Sequence, residues 1–506
     1  MIKRIDDILD GITMYRLVLY YLIFLLAAAL ALAATGFLHL DPYALLFTTG
    51  FLVGMCAVVN WLLAKVFDVP ANAESAYITA LILALIIAPL NSYQDLWFLG
   101  WTAVWAMASK YIIAINRKHL FNPAAFAVAL TYLTINQSAN WWVGSAAMLP
   151  VVALGGILLV RKLRRWELVT TFLAVAVGTA VTFSLVTGAD AVAATQNMVL
   201  NSPLVFFAFV FLTEPLTLPP TRQWRLWYAA LVGFLFTPEF HVGSFYTTPE
   251  IALLIGNAFS YIVSPKANLL LTLKAKIQVA PDVWDFIFVP AKKLAFAPGQ
   301  YMEWTLAHPD PDNRGNRRFF TLASSPTEGL VRVGVKFHED SSTLKQALLA
   351  LEPQDEIMAS HLAGDFVLPK DPRQKLVFIA GGIGITPFRS MIQYLMDTRE
   401  WRPIVLFFSN KSSREIVYKN VLDKAQQVLG LKTIYTLTDR RQVPPGWRGK
   451  VGHITPQMIK AEVPDYYDCM YYVSGPAQMV DSVKEALHWL GVRDSRIKTD
   501  YFSGLA

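Results

Sequence analysis

Arg317-Arg-Phe-Phe-Thr-Leu-Ala-Ser324 and, farther along, Gly381-Gly-Ile-Gly-Ile-Thr-Pro387 decide how the second half of this chain is read. In the first stretch Arg318 offers a fork of donors suited to a diphosphate. Phe320 adds an aromatic face, Thr321 a hydroxyl and Ser324 a small polar contact. In the second, glycines follow the apolar run Leu376–Ala380, and a helix is predicted to continue to about Met396. Glycines at a strand-to-helix turn let backbone N–H groups approach a pyrophosphate at the positive end of the helix. Working outward, Leu269–Gln278, Val283–Pro290, Tyr301–Leu306 and Leu330–Phe337 are short strand patterns bounded by turn signals. They predict a small antiparallel β-barrel over 267–370. Residues 371–506 alternate strand and helix patterns, which predicts a parallel-sheet α/β domain.

Further pieces flank both stretches. Pro298-Gly-Gln300-Tyr301 lies upstream of the arginine motif, and Val335-Lys336 with Ser341-Ser342-Thr343-Leu344 lies downstream. After the glycine turn come the strand Ile404–Phe408 with Asn410, then Tyr471-Tyr-Val-Ser474-Gly475-Pro476, then Asp500-Tyr-Phe502-Ser-Gly-Leu505. In this order the set resembles the ferredoxin–NADP reductase superfamily. The resemblance implies FAD on Gln300, Arg318, Phe320, Thr321, Ser324, Val335, Lys336, Ser341, Ser342 and Thr343. Thr321 would lie near the flavin nitrogen that accepts hydride. It also implies NAD(P)H on Gly381, Gly382, Gly384, Thr386, Pro387, Gly475, Pro476 and Asp500. Thr386, Ser474 and Phe502 would then join Thr321 around the reacting rings. Departures are Ser474, where many members have Cys, Asp340 before Ser341, and His361-Leu-Ala-Gly-Asp-Phe366 in place of a Gly-Pro-x-Gly-x-Phe element. Arg414, Arg440 and Arg441 suit a 2′-phosphate and Asp439 a free ribose hydroxyl. The reading inclines to NADH.

The first half has a different composition. The whole chain is 55% hydrophobic and 16% charged, against about 25% charged in an average soluble domain. The difference is concentrated before residue 265, in ten apolar segments at approximately 14–37, 44–64, 76–90, 95–114, 122–136, 142–160, 167–187, 200–217, 227–240 and 248–264. Several fall short of the ~20 residues of a straight span. Basic residues sit at the N-terminus (Lys3, Arg4, Arg16) and after even-numbered segments: Lys65; Lys110, Arg117 and Lys118; Arg161, Lys162, Arg164 and Arg165; Arg222 and Arg225; Lys266. That alternation predicts ten spans with both termini cytoplasmic. It accounts for much of the +7 net charge without nucleic acid as a partner. Two cysteines are too few for a cysteine-held iron–sulfur cluster, which takes four. His39, His119 and His241 lie at or near loops, which argues against transmembrane haem. No metal site is expected.

Three pieces of this half carry a second resemblance: Glu74-Ser-Ala-Tyr-Ile-Thr-Ala-Leu-Ile-Leu-Ala-Leu85 with Pro89, Ser109-Lys-Tyr111 with Leu120-Phe-Asn-Pro-Ala-Ala125, and Phe206-Phe-Ala-Phe-Val-Phe-Leu-Thr-Glu-Pro-Leu-Thr-Leu-Pro219. Their order and spacing resemble the D-type membrane component of the Rnf electron-transport complex and the B-type membrane component of the sodium-translocating NADH:quinone oxidoreductase, which form one family. That family binds flavin, often as FMN esterified to a Thr. Thr195, in Asp190-Ala-Val-Ala-Ala-Thr195, fits the end of the attachment motif with altered spacing. Asn122-Pro123 either starts a helix or lines a flavin site. Glu214 is either interfacial or buried, with Arg222 and Arg225 near enough in sequence to pair with it.

The expected architecture is therefore a ten-helix transmembrane bundle (1–266), a cytoplasmic FAD barrel (267–370) and an NAD(P) domain (371–506). The expected function is a membrane oxidoreductase passing electrons from NAD(P)H through FAD, and a flavin in the bundle, to a quinone or an acceptor across the membrane. The alternatives are a cytoplasmic reductase merely anchored by the bundle, a redox-driven ion pump, and a transporter with a redox-sensing tail. Lipid is the other partner implied, and a homo-oligomer is compatible with the sequence.

Overall fold

The computed structural model describes residues 9, 12–67, 73–90, 92, 95–115, 118–237, 241–242, 245–264, 269–309, 312, 316–339 and 341–502. Expectations placed on Lys3, Arg4, Arg117, Lys266, Asp340 and residues 503–505, and on the side chains of Lys118, His119, His241 and Phe502, lie outside what is described. The chain divides into two compact units, Met1–Ser264 and Pro265–Ala506.

Unit one is helical: α1 (Met14–Ala34), α2 (Pro42–Val66), α3 (Ala73–Ile86), α4 (Asp95–Ile112), α5 (Pro123–Ile135), α6 (Leu149–Leu163), α7 (Trp166–Thr187), α8 (Ala191–Leu200), α9 (Leu204–Phe206, continuing into a π-helical turn Phe207–Phe211), α10 (Arg222–Leu235) and α11 (Pro249–Val263). Two-residue hairpins interrupt it, β1 (Ala114–Ile115) with β2 (Lys118–His119) and β3 (His241–Val242) with β4 (Phe245–Tyr246). One start signal recurs. Asp41, Asn122 and Thr248 cap α2, α5 and α11 with a side-chain oxygen, and Pro opens each of these helices. An oxygen acceptor plus a residue lacking N–H removes two of the orphan donors of a helix start. Each predicted apolar segment carries a helix. Among the described residues three helices, α1, α2 and α7, are long and apolar enough to cross a membrane, and α8 with the α9–π segment, bent by 60°, makes a fourth if it is one span. Close helix approach rests on glycine. A Cβ at Gly156 would lie 1.9 Å from the Phe209 ring, and one at Gly155 2.2 Å from Tyr21.

Unit two has two lobes. β5 (Leu269–Ala280), β6 (Val283–Pro290), β7 (Tyr301–Thr305), β8 (Arg317–Thr321), β9 (Val331–Lys336) and β10 (Glu356–Ala363) pair antiparallel in the order β8-β7-β10-β5-β6-β9, with α12 (Thr343–Ala350) beside them. The predicted barrel is thus a six-stranded sheet with β8 and β9 at its edges. They meet where Ala323 N–H donates to Arg332 O at 2.8 Å. Alternate residues Leu271, Leu273, Phe286, Phe288, Met302 and Trp304 fill its core.

The second lobe is a parallel sheet of β11 (Leu376–Gly381), β12 (Ile404–Asn410), β13 (Lys432–Leu437), β14 (Lys450–Val451), β15 (Met470–Pro476) and β16 (Ile497–Phe502), in the order β14-β13-β12-β11-β15-β16. Helices α13 (Thr386–Thr398), α14 (Lys419–Leu429), α15 (Pro456–Glu462) and α16 (Ala477–Trp489) cover its faces. Phe378 and Ala380 pack with Phe388, Ile392 and Leu422 on one side. Val377 and Ile379 pack with Ile459, Val480 and Leu487 on the other. Burial on both faces explains why β11 reads as a continuous apolar run.

Candidate functional site

The strand order reverses direction at β11. From there the chain runs outward through β12, β13 and β14, then returns to build β15 and β16 on the other flank. In open parallel sheets the crevice outside the carboxyl ends at such a switch point is where ligands bind. The predicted residues are gathered there. A Cβ at Gly384 would fall 2.4 Å from Ser474 O, and one at Gly381 2.2 Å from Met479 Sδ and 3.2 Å from Pro476 Cδ. Gly382 has φ +52° and Gly475 approaches Gly381 within 3.2 Å of its own missing Cβ. Thr386 and Pro387 open α13, with the Thr386 hydroxyl donating to Ile383 O at 3.1 Å. Asp500 is the register partner of Ser474. Its desolvated carboxyl is pushed up to about 6, against a smaller opposing hydrogen bond from the Tyr501 backbone. The Ser474 hydroxyl and both amide atoms of Asn410 are buried without a protein partner. Orphaned polar groups at this edge fit a bound polar ligand. The Asp439 carboxylate, by contrast, accepts from Arg441 N–H and Gln442 Nε2.

In the antiparallel lobe Arg318 is buried on β8. Its guanidinium lies 3.7 Å from the Asp312 carboxylate, which also accepts from Thr343 N–H, at the start of α12, at 3.2 Å. Ser342 caps that helix through Lys345 N–H. An arginine fork and a helix N-terminus therefore already converge on an anion, the donor set a flavin diphosphate needs. Gln300 braces its own turn, accepting from Ala297 N–H at 2.8 Å. Thr321 and Ser324 are buried, and Phe320 packs edge-on against Trp304. Ser341 closes a local turn with His338. Val335 points into the sheet core. Lys336 reaches Glu415 of the other lobe at 2.8 Å. For these two, the backbone is what remains to meet a cofactor.

The two motifs are joined directly. Ser390 Oγ donates to Ser324 O at 2.6 Å, and Arg389 Nη1 to Ala323 O at 2.9 Å. Arg389 also grips Glu328 through both terminal nitrogens. The flavin strand is thus tied to the first turn of the helix that follows the glycine turn. Sequence reasoning passed over Arg389 and Glu328, although Arg389 stands one helical turn beyond Thr386.

In unit one a buried polar network joins the two proline breaks. Asn122 Nδ2 donates to Glu214 Oε2 at 2.9 Å, Asn122 N–H to Asn257 Oδ1 at 2.9 Å, and Thr217 Oγ1 to Glu214 at 3.2 Å. Asn257 reaches Tyr228 at 3.4 Å. Asn122 is both a helix cap and a member of this network. Arg222 forks onto Glu167 at 2.5 and 2.7 Å. Thr195 lies on α8, between the apolar segments at 167–187 and 200–217, and its hydroxyl donates to Ala191 O at 2.8 Å. Asn257 was missed because it is one amide in an apolar helix.

Residues 378–485 match the family described as the oxidoreductase NAD-binding domain. The second unit is an NAD(P)H-dependent flavoprotein oxidoreductase module. The glycine betaine monooxygenase reductase of Pseudomonas aeruginosa is 24% identical over 232 residues, covering 45% of this chain and 63% of that protein. A component of the Na(+)-translocating NADH-quinone reductase of Yersinia pestis is 28% identical over 200 residues, covering 37% of this chain and 49% of that protein. The chain thus spans only half to three-fifths of these relatives. Among solved structures, the Amycolatopsis cytochrome P450 reductase GcoB overlays with TM-score 0.42 and 21% identity, covering 47% of this chain and 71% of that one.

Proposed function

We propose that this chain is a membrane oxidoreductase that oxidises NAD(P)H on unit two and passes the electrons through unit one to a quinone or an acceptor across the membrane. The observation that carries the first step is the direct hydrogen bonding of Ser324 O and Ala323 O to Ser390 and Arg389. It fixes the flavin strand against the nicotinamide turn, and such fixed geometry is what a direct transfer between bound rings requires. When bound, FAD and NAD(P)H supply the redox chemistry, and the protein supplies position and electrostatics. Arg318 and the α12 N-terminus would hold the flavin diphosphate, and Thr321 and Ser324 its ring edge. The Gly381–Gly384 turn with the start of α13 would hold the dinucleotide. Thr386, Ser474, Asp500 and Phe502 would border the nicotinamide.

For unit one, the support is twofold. Tyr20, Ile23, Phe24, Leu46, Phe47 and Trp61 point outward from α1 and α2, half or more exposed. A soluble monomer rarely presents so continuous an apolar face, whereas lipid suits it. In addition, unit two is similar to one component of the sodium-translocating NADH-quinone reductase, and unit one resembles another component of that complex. One chain would then join the NADH-oxidising and membrane parts of such a system. The Asn122–Glu214–Asn257 network is the place in the bundle best furnished for a flavin. A covalent FMN on Thr195 would first have to break that hydroxyl's bond to Ala191 O.

The anchored-reductase reading draws on the three full-length spans found among the described residues. An anaerobic NADH titration of the purified protein, counting reducing equivalents per chain, separates the two. Uptake of more than two electrons supports a second redox centre in the bundle, and uptake of two supports the anchor. An unbleached flavin would remove both readings.

A further inference from the structure

One buried ionic cluster has no part in the chemistry proposed for unit two. Asp285 sits mid-strand on β6 with its side chain fully buried. Its Oδ2 accepts from Arg332 Nη1 at 2.6 Å, and its Oδ1 from the Tyr418 hydroxyl at 2.5 Å. Asp285 and Arg332 belong to the antiparallel lobe, whereas Tyr418 precedes α14 of the parallel lobe. The carboxylate is therefore shared across the seam between the lobes. A buried charge is tolerated only when fully paired, so separating the lobes would strand it.

Two local features show that the backbone is arranged around this contact. Tyr418 adopts φ +57°, a conformation that non-glycine residues keep only where surroundings impose it. Opposite it stands Gly334 of β9, the register partner of Asp285. A Cβ there would meet the Tyr418 hydroxyl at 2.5 Å, Thr386 Cγ2 at 3.0 Å and Asp285 Oδ1 at 3.3 Å. Gly334 thus lets three groups crowd together: the phenol, the carboxylate and the threonine at the head of the nicotinamide turn. Asp285, hydrogen-bonded to Tyr418, and Thr386 thus border the same space at Gly334.

We propose that Tyr418 is a positioning residue, which through Asp285 and the space at Gly334 sets how far Thr386 stands from the flavin lobe. It thereby sets the distance across which one hydride, two electrons with a proton, leaves the dihydronicotinamide for the flavin. This rests on the reading of unit two as the site of NAD(P)H oxidation. Tyr418 acts through the seam.

The test compares full-length protein with its Tyr418→Phe variant, which keeps the aromatic ring. Stopped-flow reduction by NADH should show a limiting rate about tenfold lower, with half-saturation changed by less than about twofold, since a small misplacement of reacting groups costs rate rather than binding. In the NADH-free protein, backbone amides of 321–334 and 386–391 should exchange deuterium faster together. Gly334→Ala should slow reduction in the parent. In the Tyr418→Phe background its effect should be smaller, because the hydroxyl it would strike is gone. If Tyr418→Phe speeds exchange only around 416–422 and leaves the limiting rate unchanged, the phenol merely braces a helix start and the proposal fails. If NADH does not reduce the parent flavin at all, the reading of unit two falls first, and this proposal with it.

Discussion

Asp500 is the residue at which the crevice responds to pH. Burial raises its carboxyl from 3.8 to about 6, so the folded state holds this proton more tightly than the unfolded chain does. Stability attached to it is present below the unfolded value and is lost as pH rises through about 6. Asp500→Asn should therefore melt above the parent at neutral pH, with the difference shrinking toward zero near pH 4. Thermal scans at the two pH values check it, and a constant difference would show that the carboxyl is not desolvated. Gly384 is the other sensitive position. Its missing Cβ would sit 2.4 Å from a backbone carbonyl, which cannot swing aside as a side chain can. Gly384→Ala should cost about 1–3 kcal/mol, as overpacking does, and should weaken NADH binding measured by calorimetry. Gly381→Ala meets the flexible Met479 side chain and should cost less.

Helix α13 carries the largest element-level prediction. Arg389→Ala leaves the Glu328 carboxylate and Ala323 O without their guanidinium and should destabilise unit two by about 3 kcal/mol, the lower end for breaking a buried pair. Flavin release on heating would report it, and an unshifted release temperature would contradict the seam. What was legible in the sequence follows from range. The strand–turn–helix at Gly381 and the helix start at Asn122-Pro123 are local patterns, so they could be read. The register of β8 against β7 and the pairing of Ser324 with Ser390 depend on contacts across many residues and could not. Asp285 was a visible signal, a lone charge in the apolar strand Val283–Pro290, and its meaning needed the other lobe. Helix α8 was passed over because Ala191–Leu200 is weakly apolar, yet Asp190 already offered a cap, accepting from Val192 and Ala193 N–H.

Across the whole molecule, the alternation of basic residues makes a topological prediction. Both native cysteines are buried, so the background for thiol labelling is low. A cysteine placed at exposed Thr35, after α1, should react with a membrane-impermeant maleimide in right-side-out vesicles. One at Arg164, after α6, should react only once the vesicles are opened. Equal labelling of both would overturn the ten-span arrangement. The order of strands in the parallel sheet has a consequence for biogenesis. A ribosome delivers the chain from its N-terminus, so the Gly381 turn emerges long before Ser474 and Asp500, which close the other side of the crevice. Until they arrive, the nascent reductase has half a nucleotide site. The helical unit is therefore synthesised in full before the protein can draw on the cell's pool of reductant, and a half-made chain is electrically silent.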